Sequence, residues 1–362
     1  MTSAIRKWLE IRIGLDELIR SQLTEYRVPR NLNLLYTLGT VALGAFVVQC
    51  LTGIILLFYY VPQDQLAFKS VQVIMDQVPY GWLFRLIHLV GSNLMVAVVL
   101  LHLASSFFLG SYKKPRELTW VVGALLLLTT LAIYLSGYLL PWSQLSYWGI
   151  TVVTDVPTAI PLVGKFITQF LRGGSGPVSY LTLNRFFAFH VGVLPLLMIS
   201  LLALHVFLVR RIGISAPPLS ADAPKDWQVF HHEDYPQGQP FYPDFIRKGA
   251  IAVAVYFMVM FCIIAFVPGL FLPLDAATPA DPLKTPLHIR PEWPFRAAYE
   301  VLKLIPIKFL GIAVQLVLLA VFILWPFLDK SPERNILKRP LLLSLFLGTI
   351  AVWIALTIKG SY

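Results

Sequence analysis

Four histidines lie in otherwise apolar stretches of this chain, His88 and His102 in one and His190 and His205 in another. Ionisable groups at membrane depth are costly and are kept there for function. Fourteen residues separate the first pair and fifteen the second. On an α-helix these separations are roughly 21 and 22 Å along the axis, and the second ring returns to within about 40° or 60° of the first. Each helix thus offers two imidazoles on one face, one toward each end. Parallel neighbours would set His88 opposite His190 and His102 opposite His205. Two imidazoles complete the coordination of a haem iron, because the porphyrin supplies the other ligands. A structural zinc site wants four protein ligands, and no Cys, Asp or Glu stands near enough to complete one. The spacing predicts two bis-histidine haem sites stacked across a membrane, with all four histidines as iron ligands.

A flat macrocycle between helices demands close backbone approach, which glycine permits. Gly39 and Gly53 are fourteen apart, and so are Gly123 and Gly137. That repeats the histidine spacing on two further apolar stretches, and each glycine is expected to face a haem edge. Haem propionates need cationic partners. Arg85, one turn before His88, suits the outer haem, while Lys114 and Arg116 suit the inner one, or all three reach the membrane interface as amphipathic side chains do.

These residues must be positioned by long membrane helices. Of the 362 residues, 57% are hydrophobic and only 13% charged, against about 25% charged in soluble domains. The mean hydropathy is +0.72. Disorder, a collagen-like fibre and a disulfide-stapled secreted domain are excluded. Seven apolar runs, at 35–60, 82–108, 118–140, 184–209, 248–272, 309–328 and 340–358, are each near or above the length that crosses about 30 Å of hydrocarbon. The expected fold is an all-α integral membrane protein with a four-helix dihaem bundle and then a three-helix part. Residues 1–34 read as an amphipathic surface segment, with Trp8, Ile11, Leu15, Ile19 and Leu23 at helical spacing. Residues 35–211 form the bundle, 212–247 a polar connecting loop, and 248–362 the C-terminal part. The outer connections at 141–183 and 273–308 are too apolar for solvated linkers, and short surface helices are expected in both.

The net charge of +10 could suggest nucleic acid, but in a membrane chain Lys and Arg record orientation. Eighteen of the 29 basic residues, Lys225 among them, fall on one side of the seven runs, which predicts a cytoplasmic N-terminus. The first thirty residues lack the apolar core of a signal peptide. Cys50 and Cys262 lie in apolar runs outside any CxxCH or CxxC pattern and read as small buried hydrophobes.

With the histidine and glycine ladders go GWLFRLIH (81–88), KKPRELTW (113–120), GYLLPWSQLSYWG (137–149) and PEWPF (291–295). Together these resemble the cytochrome b subunit of quinol-oxidising bc and bf complexes over nearly the whole chain. The fifteen-residue spacing and seven spans resemble the bf type, with the b6-type and subunit-IV-type parts fused into one chain. The resemblance implies two non-covalent b haems and a Q-cycle. Quinol is oxidised at an outer site, one electron goes to a Rieske iron–sulfur protein and on to a c-type cytochrome or plastocyanin-like acceptor, and the other crosses to an inner quinone site, building a proton gradient. It also implies that Glu292 takes a proton from quinol, that Trp293 and Tyr147 line that pocket, and that Lys248 and Arg211 contact the inner quinone. A homodimer in a bacterial-type inner membrane is implied, with no nucleic acid partner.

Three positions depart from the family pattern. Pro294 stands where the family motif carries a tyrosine, which removes one hydroxyl from the outer site. The position at which bf cytochromes attach a third haem through cysteine is Thr37, so no covalent haem is expected. The arginine that often follows the first ligand is Leu89. Two other readings stay open. A dihaem anchor would leave the last three spans and the PEW loop unexplained. A transporter or channel is disfavoured, because no acid lies within a span core, where proton and cation pathways commonly use one.

Overall fold

The computed structural model describes residues 3–218, 238–272, 274–287 and 289–361. Lys225 and most of the 212–247 loop lie outside the described residues. Among the described residues, seven helices are long and apolar enough to cross a membrane: Leu34–Leu57, Gly81–Phe108, Glu117–Leu139, Tyr180–Ile212, Phe241–Phe266, Lys308–Leu328 and Pro340–Lys359. They are called the first to seventh spans below. The described residues are overwhelmingly α-helical; an antiparallel pairing of Arg27–Val28 with Gln239–Pro240 ties the N-terminal segment to the start of the fifth span, and a single bridge joins Ser143 to Pro279.

The first span packs along the second, and the third along the fourth. The fifth leans on the first two, so that Val41, Ala45, Val90, Met95, Tyr256 and Met260 share one buried cluster. Lipid takes the other faces, which accounts for exposed side chains such as Leu51, Ile54, Leu196 and Val317.

The fourth span is not a uniform α-helix. At Phe189–Val193 it widens into one π-turn, in which the Leu194 amide donates to the Phe189 carbonyl. Pro195 follows at once; it has no N–H, and its ring crowds the carbonyl four residues back, so the α-ladder cannot run through this point. A π-turn takes in one extra residue. The fifteen residues from His190 to His205 therefore cover the rotation that fourteen cover in the second span.

Several boundaries differ from expectation for identifiable reasons. The fifth span stops at Phe266 rather than 272, because the residue before Pro268 leaves helical geometry. The N-terminal helix ends at Ile13, since Gly14 adopts φ 58°, and the expected stripe from Trp8 to Leu23 is broken there. A helix at Ala67–Asp76, between the first and second spans, was not anticipated. Its ten residues make only about three turns, too short to stand out as a span. The outer connections carry helices at Gln144–Asp155, Gly164–Arg172 and Trp293–Leu304.

The sixth span packs against the third, where the Trp120 indole donates to the Phe322 carbonyl at 3.0 Å. One buried carboxylate fastens the two parts of the chain. Asp329 accepts from Lys113 Nζ at 2.7 Å, from both terminal nitrogens of Arg339 at 2.7 Å, and from the Tyr112 hydroxyl at 2.5 Å. The seventh span packs on the Trp293–Leu304 helix, with Lys359 reaching Glu300 at 3.1 Å.

Candidate functional site

The four histidines meet in two pairs. His88 and His190 face each other with ring centroids 6.1 Å apart and planes at 81°. His102 and His205 stand within electrostatic reach of each other one level away. The glycine ladder matches them one to one. A Cβ at Gly53 would lie 3.3 Å from Cε1 of His88, at Gly39 3.3 Å from His102, at Gly123 3.3 Å from His205, and at Gly137 2.5 Å from His190. The glycines thus back the imidazoles from the neighbouring helix.

Hydrogen bonds fix the outer rings. The Thr52 hydroxyl donates its single proton to the Val48 carbonyl at 2.7 Å, so toward Nδ1 of His88, 2.9 Å away, it acts as an acceptor. Nδ1 of His190 lies 2.9 Å from the Ile133 carbonyl, which can only accept. Both rings therefore carry the proton on Nδ1 and leave Nε2 unprotonated, the tautomer that a hydrogen-bond partner fixes in a metal-binding histidine. With metal–nitrogen bonds of about 2 Å on each side, two rings around one iron have centroids about 6 Å apart, which suits the observed separation. At the inner level, Nδ1 of His102 has no partner among the described residues, and the Thr119 backbone near His205 lies outside hydrogen-bonding geometry. Among the described residues no cluster of three or more His, Cys, Asp or Glu could hold a bare metal ion. The donor set fits a porphyrin-held iron.

A cavity of about 480 Å³ opens beside the outer pair, lined by Arg85, His88, Asn93, Tyr134, His190 and Glu292 among others. Glu292 immediately precedes the Trp293–Leu304 helix. Burial holds its carboxyl above the ordinary carboxylate range, while the Arg296 guanidinium and the Tyr134 hydroxyl pull the other way. Trp293 points elsewhere and donates from Nε1 to Asn93 Oδ1 at 2.8 Å.

Other expected residues are placed differently. Tyr147 does not line the cavity: it is buried against Trp142 and Trp148, and its hydroxyl donates to the Val178 carbonyl at 3.2 Å. It braces the helix whose first turn, through Ser143, Leu145 and Ser146, does form cavity wall. At the inner level Arg116 is buried and donates to the Gly213 carbonyl at 3.1 Å, whereas Lys114 is exposed. Lys248 donates to the Leu32 carbonyl at 2.9 Å, and Arg211 is exposed. Thr37 is buried, with its hydroxyl on the Leu34 carbonyl at 2.7 Å. Thr52, Asn93 and Tyr134 were missed by sequence reasoning. Each is a polar residue inside an apolar run, which was the available signal.

Seven spans around two facing histidine pairs define a haem-binding class of helical membrane protein. Residues 23–213 match the family described as "Cytochrome b/b6/petB", and residues 279–362 the one described as "Cytochrome b(C-terminal)/b6/petD". Cytochrome b of Rickettsia bellii is 38% identical over 354 residues, covering 98% of this chain and 84% of the relative. Cytochrome b of Allochromatium vinosum is 37% identical over 339 residues, covering 91% and 81%. A solved chain of a hyperthermophilic respiratory complex III superposes with a TM-score of 0.90 at 38% identity, covering 98% of this chain and 91% of its own. The chain belongs to the cytochrome b family, with both family segments in one polypeptide. Membership implies b-type haem.

Proposed function

We propose that the chain is the dihaem, quinol-oxidising subunit of a membrane oxidoreductase of the respiratory complex III kind. The observation that carries this reading is the one-to-one facing of four glycines and four histidines at two levels of one bundle. Its likeness to a solved complex III chain supports the assignment. When bound, the haems supply one-electron transfer between the two levels.

The chain's own residues do the rest. His88 with His190, and His102 with His205, hold the two irons; Gly39, Gly53, Gly123 and Gly137 leave room for the rings. Arg85 serves the outer propionates, and Arg116 and Lys114 the inner ones. In the outer cavity the ionised Glu292 accepts the proton of a quinol hydroxyl; burial raises its proton affinity above that of an ordinary carboxylate, which favours that transfer. Trp293 fixes the loop through Asn93, and Tyr147 supports the wall from behind. One electron from quinol leaves to a Rieske iron–sulfur protein and then a c-type cytochrome. The other crosses to a quinone at the inner side, with Lys248 and Arg211 as its contacts. In this reading residues 35–211 are the haem domain and 248–362 carry the quinol loop. The protein is a homodimer in a bacterial inner membrane, with its N-terminus in the cytoplasm.

The test is a dithionite-minus-ferricyanide spectrum with a pyridine haemochrome assay on the purified chain. Two non-covalent b haems are expected, with one lost in His88→Ala and the other in His205→Ala. A haem-free protein would end the electron-transfer reading, and a single haem would break one of the two pairings.

A further inference from the structure

The wall opposite Glu292 holds a hydroxyl that the steps above leave unused. Tyr134 lies on the third span, one turn before Gly137. Its hydroxyl donates to Asn93 Oδ1 at 2.9 Å and stands 3.5 Å from Glu292 Oε2. Asn93 cannot turn away: it is 3% exposed, its amide nitrogen donates to the Leu89 carbonyl at 2.9 Å, and its oxygen also accepts from Trp293. The loop carrying Glu292 and the phenol beside it are therefore hung on one fixed oxygen. Pro294, two residues further along that loop, offers no hydroxyl of its own.

A phenol has one proton to donate. A carboxylate accepts a hydrogen bond about twice as strongly as a neutral amide. Ionised Glu292 should win the Tyr134 proton from Asn93, which keeps Trp293 as its donor. Once Glu292 is protonated it has a proton of its own to give, and the phenol returns to Asn93 with a lone pair free to receive it. Tyr134 gains and loses nothing in the cycle; the proton that moves passes from quinol oxygen to carboxylate.

We propose that Tyr134 is a positioning residue for proton uptake in the outer cavity, swinging its hydrogen bond between Asn93 and Glu292 so that the carboxyl faces the cavity in both protonation states. This rests on the quinol-oxidation reading. The other groups facing the Glu292 carboxyl are the Arg296 guanidinium and the Trp293 backbone amide, and both also favour the ionised form.

The experiment uses the intact complex in native membranes, with whichever of short-chain ubiquinol or menaquinol the unaltered complex oxidises. In Tyr134→Phe, kcat should fall about tenfold, the loss expected of one hydrogen bond to a charged group, with KM little changed. Because the ionised carboxylate loses a donor, the acid limb of the pH profile should move to higher pH. The protonated-carboxyl band of Glu292 in redox-induced infrared difference spectra should shift, while haem content stays at the unaltered level. Asn93→Leu commits the phenol to Glu292 and should move the acid limb the opposite way, which decides the matter if Tyr134→Phe fails to assemble. A Tyr134→Phe complex with an unmoved acid limb and band, or an Asn93→Leu complex whose limb stays put or rises, overturns the proposal. Glu292→Gln separates the two levels of inference: if it still blocks oxidation when Tyr134→Phe does nothing, the quinol reading stands and only the role of Tyr134 falls.

Discussion

Gly137 and His190 are locked together more tightly than any other glycine–histidine couple in the bundle. A methyl group on Gly137 would stand 2.5 Å from Cε1 of His190 and 3.0 Å from Nδ1, whereas the corresponding closest distance at Gly39, Gly53 and Gly123 is 3.3 Å. The ring cannot retreat freely, because Nδ1 is held by the Ile133 carbonyl on the same helix as Gly137. The third span thus grips this imidazole from two sides, by a steric wall and by a hydrogen bond.

Gly137→Ala should therefore displace His190 at an overpacking cost of about 1–3 kcal/mol. Haem stoichiometry should fall from two toward one per chain. The other three alanine variants require shifts of only a few tenths of an ångström and should keep both haems. Haemochrome assays on the four variants would decide it; equal retention in all four would contradict this ranking.

Thr52→Val removes the acceptor that orients His88 without changing side-chain size much. Losing such a partner typically weakens a metal site about 10–100-fold. Faster haem loss to apomyoglobin is expected from the outer site only, with Thr52→Ser close to the unaltered rate. If Thr52→Val releases haem no faster than the parent, the hydrogen bond does not orient the ligand.

Asp329→Asn leaves Lys113, whose side chain is 2% exposed, without its buried counter-charge. Breaking a buried pair on one side costs about 3–5 kcal/mol, so the melting temperature in detergent should drop. Replacing both partners, as in Lys113→Met with Asp329→Leu, should recover much of the loss. Burial alone would push the Asp329 carboxyl up, but donation from Arg339, Lys113 and Tyr112 outweighs it and holds the group well below the ordinary range. A depressed carboxylate stabilises the fold above its unfolded pKa of about 3.9 and loses that contribution as pH falls through the lower folded value. Its share of the melting temperature should accordingly stay level from neutral pH down to about pH 4.

Arg296→Gln takes a positive charge from beside Glu292. The carboxyl, already raised by burial, should rise further, and the acid limb of quinol oxidation should move to higher pH. Steady-state rates between pH 5 and 9 would show it. A limb that moves downward would mean that Arg296 does not act on Glu292 through charge.

The histidine–glycine ladder is legible in the sequence because both residue types stand out in apolar runs, and because a helical repeat converts residue counts into faces. Arg85 beside the outer pair is legible from its place one turn before His88, whereas Glu292 at the cavity comes only through the resemblance of the PEW motif. The Asn93–Tyr134–Trp293 junction is not legible, since Asn93 and Trp293 are 200 residues apart and only the packing of the second and third spans with the PEW loop brings them together. Tyr147 is a pocket residue only by the family resemblance; in this chain Ser143 and Ser146, not the tyrosine, line the cavity. Helix periodicity turns the tyrosine the other way, against Trp142 and Val178.

The π-turn at Phe189–Val193 bears on the length the fourth span tolerates. Where one turn of helix can be wound loosely or tightly, inserting or losing a residue between His190 and His205 changes the winding and leaves the ligands at their depths. A one-residue difference in that interval is therefore compatible with an unchanged separation of the ligand levels, which the uninterrupted second span sets.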